Sequence, residues 1–187
     1  MAGLYIAAAT LNVWVLVLVL AAAFAVQLVS GELPCPLCVM QRVALMLVAL
    51  GPTHVLLRAR GGALTARDVA IGNGMAIVAA LAGATASGRQ MLLHILPGDA
   101  GYGAPVLGFH LYTWCFIAFV CQIAASAVML LTAVWLEDKA APEPGRGIGV
   151  TTVAFAVIVV ANLGSVIAEA GLNWDLPENP VRYLLFG

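Results

Sequence analysis

Cys35-Pro36-Leu37-Cys38 is the segment of this chain best equipped for chemistry. It lies where a short polar stretch, 30–34, gives way to a long apolar run, the point at which a helix would begin. Pro36 suits a first helical position, because its missing N–H would be unpaired there anyway. On a first helical turn, cysteines three apart have α-carbons about 5–6 Å from each other, within the range a disulfide needs. The unpaired N–H groups and partial positive charge of a helix N-terminus favour thiolate over thiol, and thiolate is the form that attacks and leaves in disulfide exchange. Zinc and iron–sulfur sites need further ligands at metal spacing, and the sequence offers no second pair of that kind. Residue 39 is Val, where covalent haem attachment would want His. A structural bridge remains an alternative, but one spanning so few residues restrains an unfolded chain little, which favours redox use.

Arg42 follows Cys38 by four residues, on the same helical face and one turn deeper. An arginine inside a membrane costs a few kcal/mol unless it finds a partner, so it marks a candidate site. It either reaches back to the headgroups, or stabilises a Cys38 thiolate and polarises a carbonyl oxygen of a lipid-soluble acceptor. The acceptor class that dissolves in a bilayer and takes two electrons with two protons is a quinone. Cys115 and Cys121, six residues apart within one helix, lie about 9 Å apart in rise and cannot bridge each other. They read as small buried hydrophobes.

The elements that must position these groups are membrane spans. The chain has 187 residues, 63% of them hydrophobic and 9% charged, with a mean hydropathy of +1.04. So few charges cannot cover the surface of a soluble globule, and such high hydrophobicity excludes disorder. The net charge of −1 leaves no basic surface for nucleic acid. Residues 1–31, 43–57, 69–88, 100–136 and 147–168 contain no Asp, Glu, Lys or Arg. A span needs about 20 apolar residues, and five helices are expected at about 10–30, 37–58, 68–93, 108–136 and 148–169. The first lacks the basic flank and short apolar core of a signal peptide and reads as a retained helix. The expectation is an all-α integral membrane protein, a four-helix transmembrane bundle plus a fifth transmembrane helix, with residues 1–187 forming a single membrane domain.

Of the eight Lys and Arg, Arg58, Arg60, Arg67, Lys139 and Arg146 fall on one side, and Arg42, Arg89 and Arg182 fall toward the other. The positive-inside rule then puts the N-terminus in the cytoplasm and the C-terminus outside. On the outer side lie a Gly- and Pro-rich loop, 96–109, and a tail, 170–187, whose Tyr183, Leu184, Leu185 and Phe186 would rest at the interface. Trp114, Trp135 and Trp174 fit interfacial belts.

Pro-Cys-Pro-Leu-Cys-Val-Met-Gln-Arg-Val-Ala (34–44) resembles the signature of the disulfide bond formation protein B family (DsbB), bacterial inner-membrane quinone-linked thiol oxidases. The likeness extends to residues 88–90, 96–99, 101–114 and 177–185, and a five-helix, long-tailed subgroup fits best. The resemblance implies a quinone, ubiquinone or menaquinone, held against the helix that carries the cysteine pair. Cys35 and Cys38 would be the catalytic pair, with Cys38 proximal to the quinone and Arg42 contacting it. Gln41 and Gln90 would line the same pocket, and no metal is implied. It further implies a multi-pass protein of the bacterial inner membrane with a periplasmic C-terminus, served by a periplasmic thioredoxin-like thiol protein. A vitamin K epoxide reductase-like enzyme shares the motif, but the flanking residues fit it less well.

One departure matters. Family members relay electrons from the soluble partner through a second outer cysteine pair, and neither loop 96–109 nor the sequence around 169–177 contains a cysteine. A partner then delivers electrons directly to Cys35, another membrane subunit supplies the relay, or the chain is a catalytically silent structural or assembly subunit. The expected activity is quinone-linked thiol:disulfide oxidoreduction, with electrons leaving through Cys38. Among the other polar residues, His94 and His110 read as hydrogen-bonded anchors in preference to a proton relay. Asn162 and Glu169 read as a packing hydrogen bond and an interface carboxylate. Gly72, Gly74 and Gly83 read as positions of close helix approach.

Overall fold

The computed structural model describes residues 2–136, 146–171, 173, 176 and 180–186. It contains five helices, α1 (Ala2–Ser30), α2 (Pro36–Arg60), α3 (Ala66–Leu93), α4 (Leu111–Ala133) and α5 (Arg146–Ala170). All five are long and apolar enough to cross a membrane, and no strand occurs among the described residues, only an isolated bridge between Val106 and Phe109. The protein is thus an all-helical membrane bundle. α1 begins at Ala2, earlier than the expected residue 10, because nothing in its apolar N-terminal turns stops a helix. Linker 137–145 and Trp174 lie outside the described residues.

α2 is the central helix: it packs against α1, α3 and α5 and touches α4. It therefore carries the largest buried share of any span, whereas the others turn much of their apolar surface outward. In a bilayer such outward Leu, Val and Ile side chains meet lipid, so helix association depends on close packing. Two glycine contacts supply it. At the α2–α3 crossing, a Cβ on Gly51 would overlap the Gly72 carbonyl oxygen, and one on Gly72 would lie 2.6 Å from the Gly51 carbonyl oxygen. At the α3–α4 crossing, a Cβ on Gly83 would run into the ring of the fully buried Phe119. Gly74, by contrast, faces open space and has no packing role, and the contribution of Gly51 had no counterpart in the sequence reading. Gly72→Ala has rigid backbone opposite it, so it should cost about 1–3 kcal/mol, the usual range for overpacking. Thermal unfolding in detergent checks this, with Gly74→Ala expected to leave the midpoint unmoved.

Side-chain hydrogen bonds tie the ends of the chain into the bundle. Tyr5 Oη donates to Thr132 Oγ1 (2.9 Å), Asn12 Nδ2 to Gln122 Oε1 (3.0 Å) and Trp14 Nε1 to Thr151 Oγ1 (3.0 Å). α5 lies against α1 and α2. Its C-terminal end is covered by the returning tail, in which the Leu184 N–H donates to the Glu169 carbonyl (3.2 Å) and the Leu185 N–H to that of Ala168 (3.1 Å). At the opposite end Thr65 and Asp68 form a reciprocal capping box that starts α3, and Asp68 also accepts from Arg58 at 2.9 Å.

Candidate redox site at the start of the second helix

Cys35 is the N-cap of α2, with extended backbone (φ −67°, ψ 163°) and Pro36 directly after it. Its sulfur accepts the Cys38 N–H at 3.2 Å, the role a Ser, Thr, Asp or Asn oxygen ordinarily fills. The cap folds Cys35 back over the first turn and leaves the two sulfurs 2.6 Å apart, both as free thiols. The Cys35 thiol is pushed up from its ordinary range, first by its hydrogen bond with the Cys38 sulfur and then by burial. Cys35 therefore holds its proton, and Cys38, inside the positive end of the helix, is the sulfur placed to carry charge.

Gln90 of α3 completes the pair's surroundings. It is 1% exposed, and its Nε2 faces the Cys35 sulfur at 3.4 Å and the Cys38 sulfur at 3.6 Å. Its Oε1 accepts from Gln41 Nε2 at 2.7 Å, which fixes the amide with its N–H groups toward the sulfurs. Cys35, Cys38, Gln41 and Gln90 are thus brought together.

Arg42 turns another way. Nη1 donates to Gln27 Oε1 (2.6 Å), Nη2 to the Ala23 carbonyl (3.0 Å), and the guanidinium lies 5.8 Å from the centre of the Phe24 ring. All three are on α1, so the arginine neither reaches for headgroups nor hydrogen-bonds a cysteine. Gln27, 2% exposed, also donates through Nε2 to Ser165 Oγ of α5 (2.9 Å) and Tyr183 Oη of the tail (3.1 Å). Sequence reasoning missed Gln27. The available signal was an amide within a charge-free apolar helix, where an unpaired polar side chain is costly. Glu169 is likewise no interface carboxylate: it is fully buried at the same end of the bundle.

The loop 96–109 lies over the pair. Tyr102 Oη donates to the Leu33 carbonyl at 2.6 Å, two residues before Cys35. Burial pushes the Tyr102 phenol up to about 12, so it remains a donor up to that pH. Asp99 accepts from the Gly101 N–H (2.7 Å) and pairs with His94 (3.0 Å), and these contacts hold its carboxyl below the usual range. Tyr112 stacks between His94 and His110, and His110 Nδ1 meets the Gly103 carbonyl oxygen at 3.1 Å. Both histidines therefore pin the loop. Under it Cys35 is 6% exposed. Tyr102→Phe removes one hydrogen bond of about 1 kcal/mol, so loop opening should become roughly fivefold more frequent. Maleimide labelling of Cys35 should accelerate by that factor.

A cavity of about 390 Å³ lies between α1, α2, α3 and α4, lined by Tyr5, Asn12, Leu45, Asn73 and Gln122 among others; none of the redox-site residues lines it. Cys121, exposed on the outer face of α4, borders it, while Cys115 packs against the core. No group of three or more His, Cys, Asp or Glu among the described residues could hold a metal ion.

The chain is 28% identical over 138 residues to "Disulfide bond formation protein B 1" of Pseudomonas fluorescens (strain Pf0-1), covering 57% of this chain and 77% of that protein. It is 41% identical over 69 residues to "Disulfide bond formation protein B" of Chromobacterium violaceum, covering 37% and 39% of the two chains. No solved structure matches. The family model described as "Disulfide bond formation protein DsbB" matches residues 6–102, which contain the capped cysteine pair, Gln27, Gln41, Arg42 and Gln90. That match covers more than half of the 187 residues, and the chain belongs to the DsbB family.

Proposed function

We propose that the chain is a quinone-linked thiol:disulfide oxidoreductase of the bacterial inner membrane, in which Cys35 and Cys38 cycle between dithiol and disulfide. The observation that carries this reading is the pair itself: two free sulfurs at 2.6 Å on a capped helix N-terminus, both addressed by the Gln90 amide. When bound, a quinone supplies an acceptor for two electrons and two protons. The donors here suit it: Arg42 uses one N–H on Gln27 and one on Ala23, leaving further N–H groups of its fork for a carbonyl oxygen. Gln41 and Gln90 would complete the surroundings.

In this reading a thiolate of the partner attacks the Cys35 sulfur of the closed bridge. A bond forms between the partner's sulfur and Cys35, the Cys35–Cys38 bond breaks, and Cys38 leaves as a thiolate. The helix N-terminus and Gln90 stabilise that leaving charge. A second partner thiol then frees Cys35, its proton passing to the released Cys35 sulfur, and the pair re-forms its bridge as two electrons pass to the acceptor. The partner is a periplasmic thioredoxin-like thiol protein or another membrane subunit, and it must displace the Tyr102 loop to reach Cys35. The N-terminus would be cytoplasmic and the C-terminus periplasmic.

A second reading, a silent structural or assembly subunit, is favoured by one observation: loop 96–109 has no cysteine to relay electrons. Turnover decides between them. The purified chain, given a reduced thioredoxin-like protein and a short-chain quinone, should reduce the quinone in a thiol-dependent manner. Absence of that turnover would favour the silent subunit.

A further inference from the structure

Glu169 is the buried group for which the cycle above has no use. It is 0% exposed, and neither carboxylate oxygen has a hydrogen-bond partner among the described residues. The tail closes over it through the Leu184 N–H on its own carbonyl. One turn earlier on α5, Ser165 accepts from Gln27, which in turn accepts from Arg42. Glu169 thus stands in the shell around the Arg42 guanidinium, within reach of its charge and that of Cys38. The groups facing this cluster are Arg42 and Cys38 from α2, Gln27 from α1, Cys115 from α4 and Tyr183 from the tail.

We propose that Glu169 is the proton-exchanging counter-charge of Arg42, ionised while the Cys35–Cys38 bridge is closed and protonated when Cys38 becomes a thiolate. The inference rests on the redox reading of the pair. The partners Arg42 binds directly, Gln27 Oε1 and the Ala23 carbonyl, are neutral, and a buried cation without an anion is expensive. With the bridge closed the cysteines carry no charge, and among the groups facing Arg42 the carboxylate of Glu169 can supply one. With the bridge open, two anions would share one cation, which raises the cost of keeping both ionised. Cys38 has the support of Gln90 and the helix N-terminus, whereas the Glu169 oxygens have no donor among the described residues. The proton therefore goes to Glu169.

The step balances. A partner thiol, the closed bridge and the Glu169 carboxylate become a mixed disulfide with Cys35, a Cys38 thiolate and the Glu169 acid. The partner's proton ends on Glu169, and the total charge is unchanged. When the bridge re-forms, the two electrons leaving the sulfurs are accompanied by one proton from Cys35 and one from Glu169. Glu169 acts through Arg42 and is a positioning residue.

The test is infrared difference spectroscopy on the full chain in lipid nanodiscs, with the pair opened by dithiothreitol and closed by diamide, so that no quinone is required. Reduction should produce one protonated-carboxyl C=O band. Glu169→Gln should remove that band and Glu169→Asp should retain it at a shifted frequency, with circular dichroism confirming the fold of each variant. Glu169→Gln reproduces the uncharged acid expected beside an open pair, so iodoacetamide should alkylate Cys38 near neutral pH at the wild-type rate. A wild-type pair that opens and closes without the Glu169 band, or a Cys38 alkylation rate that rises by about tenfold in Glu169→Gln, one pKa unit being a factor of ten in thiolate, overturns this inference alone. A pair that never closes under diamide overturns the redox reading and this inference with it.

Discussion

Cys38→Ser is expected to abolish thiol-dependent acceptor reduction, a loss of about 10³-fold or more, while leaving the bundle folded. Serine fits the same space, so stability should change little. What disappears is the sulfur that leaves Cys35, carries the charge and forms the bridge, and an alcohol does none of these at neutral pH. Cys35→Ser should be equally inactive, and the double variant no worse, because residues acting as one unit lose their effect together. The two single variants differ in another respect. Cys35→Ser keeps an oxygen at the cap of α2, where serine is a preferred residue, so its thermal midpoint should match or exceed that of the wild type. Stopped-flow turnover with each variant, alongside thermal unfolding, checks both statements.

Arg42→Met should lower the acceptor-reduction rate by about 10²–10³-fold, the usual consequence of removing a preorganised donor aimed at developing negative charge. Gln27→Leu should cost less, about tenfold, because it takes away a hydrogen bond that holds Arg42 against α1 and leaves the guanidinium in place. The double variant should resemble Arg42→Met alone, since Gln27 acts through the arginine. Additive losses would mean that Gln27 has a separate role. Gln27 also gathers Ser165 and Tyr183, so Gln27→Leu should weaken docking of the tail, readable as faster amide exchange at Leu184 and Leu185, whose N–H groups bind the end of α5.

The five helices and the position of the cysteine pair are legible in the sequence for physical reasons. Long charge-free runs have no soluble alternative, and Pro36 beside Cys35 at the end of a polar stretch marks a helix start. The Gln41–Gln90 contact is accessible only through resemblance, because its partners sit 49 residues apart on different helices. The surroundings of Arg42 are not legible at all. Its turn toward α1 depends on how two helices cross, and the Gln27 contacts with Ser165 and Tyr183 span 138 and 156 residues. Glu169 shows the same limit. A carboxylate at the end of an apolar helix resembles an interface group until the tail folds back and covers it. His94 and His110 are ambiguous as a sequence pair, and their stacking on Tyr112 is what identifies them as loop anchors.

The central claim is that electrons leave a Cys35–Cys38 dithiol for a quinone, and anaerobic stoichiometry tests it most directly. The full chain is reduced, freed of reductant and mixed with a short-chain quinone; quinol is counted optically and the 35–38 bridge by mass spectrometry after alkylation. One quinol per bridge formed, with neither product in Cys38→Ser, is the predicted result. A bridge that forms without quinol, or quinol that appears in Cys38→Ser, contradicts it.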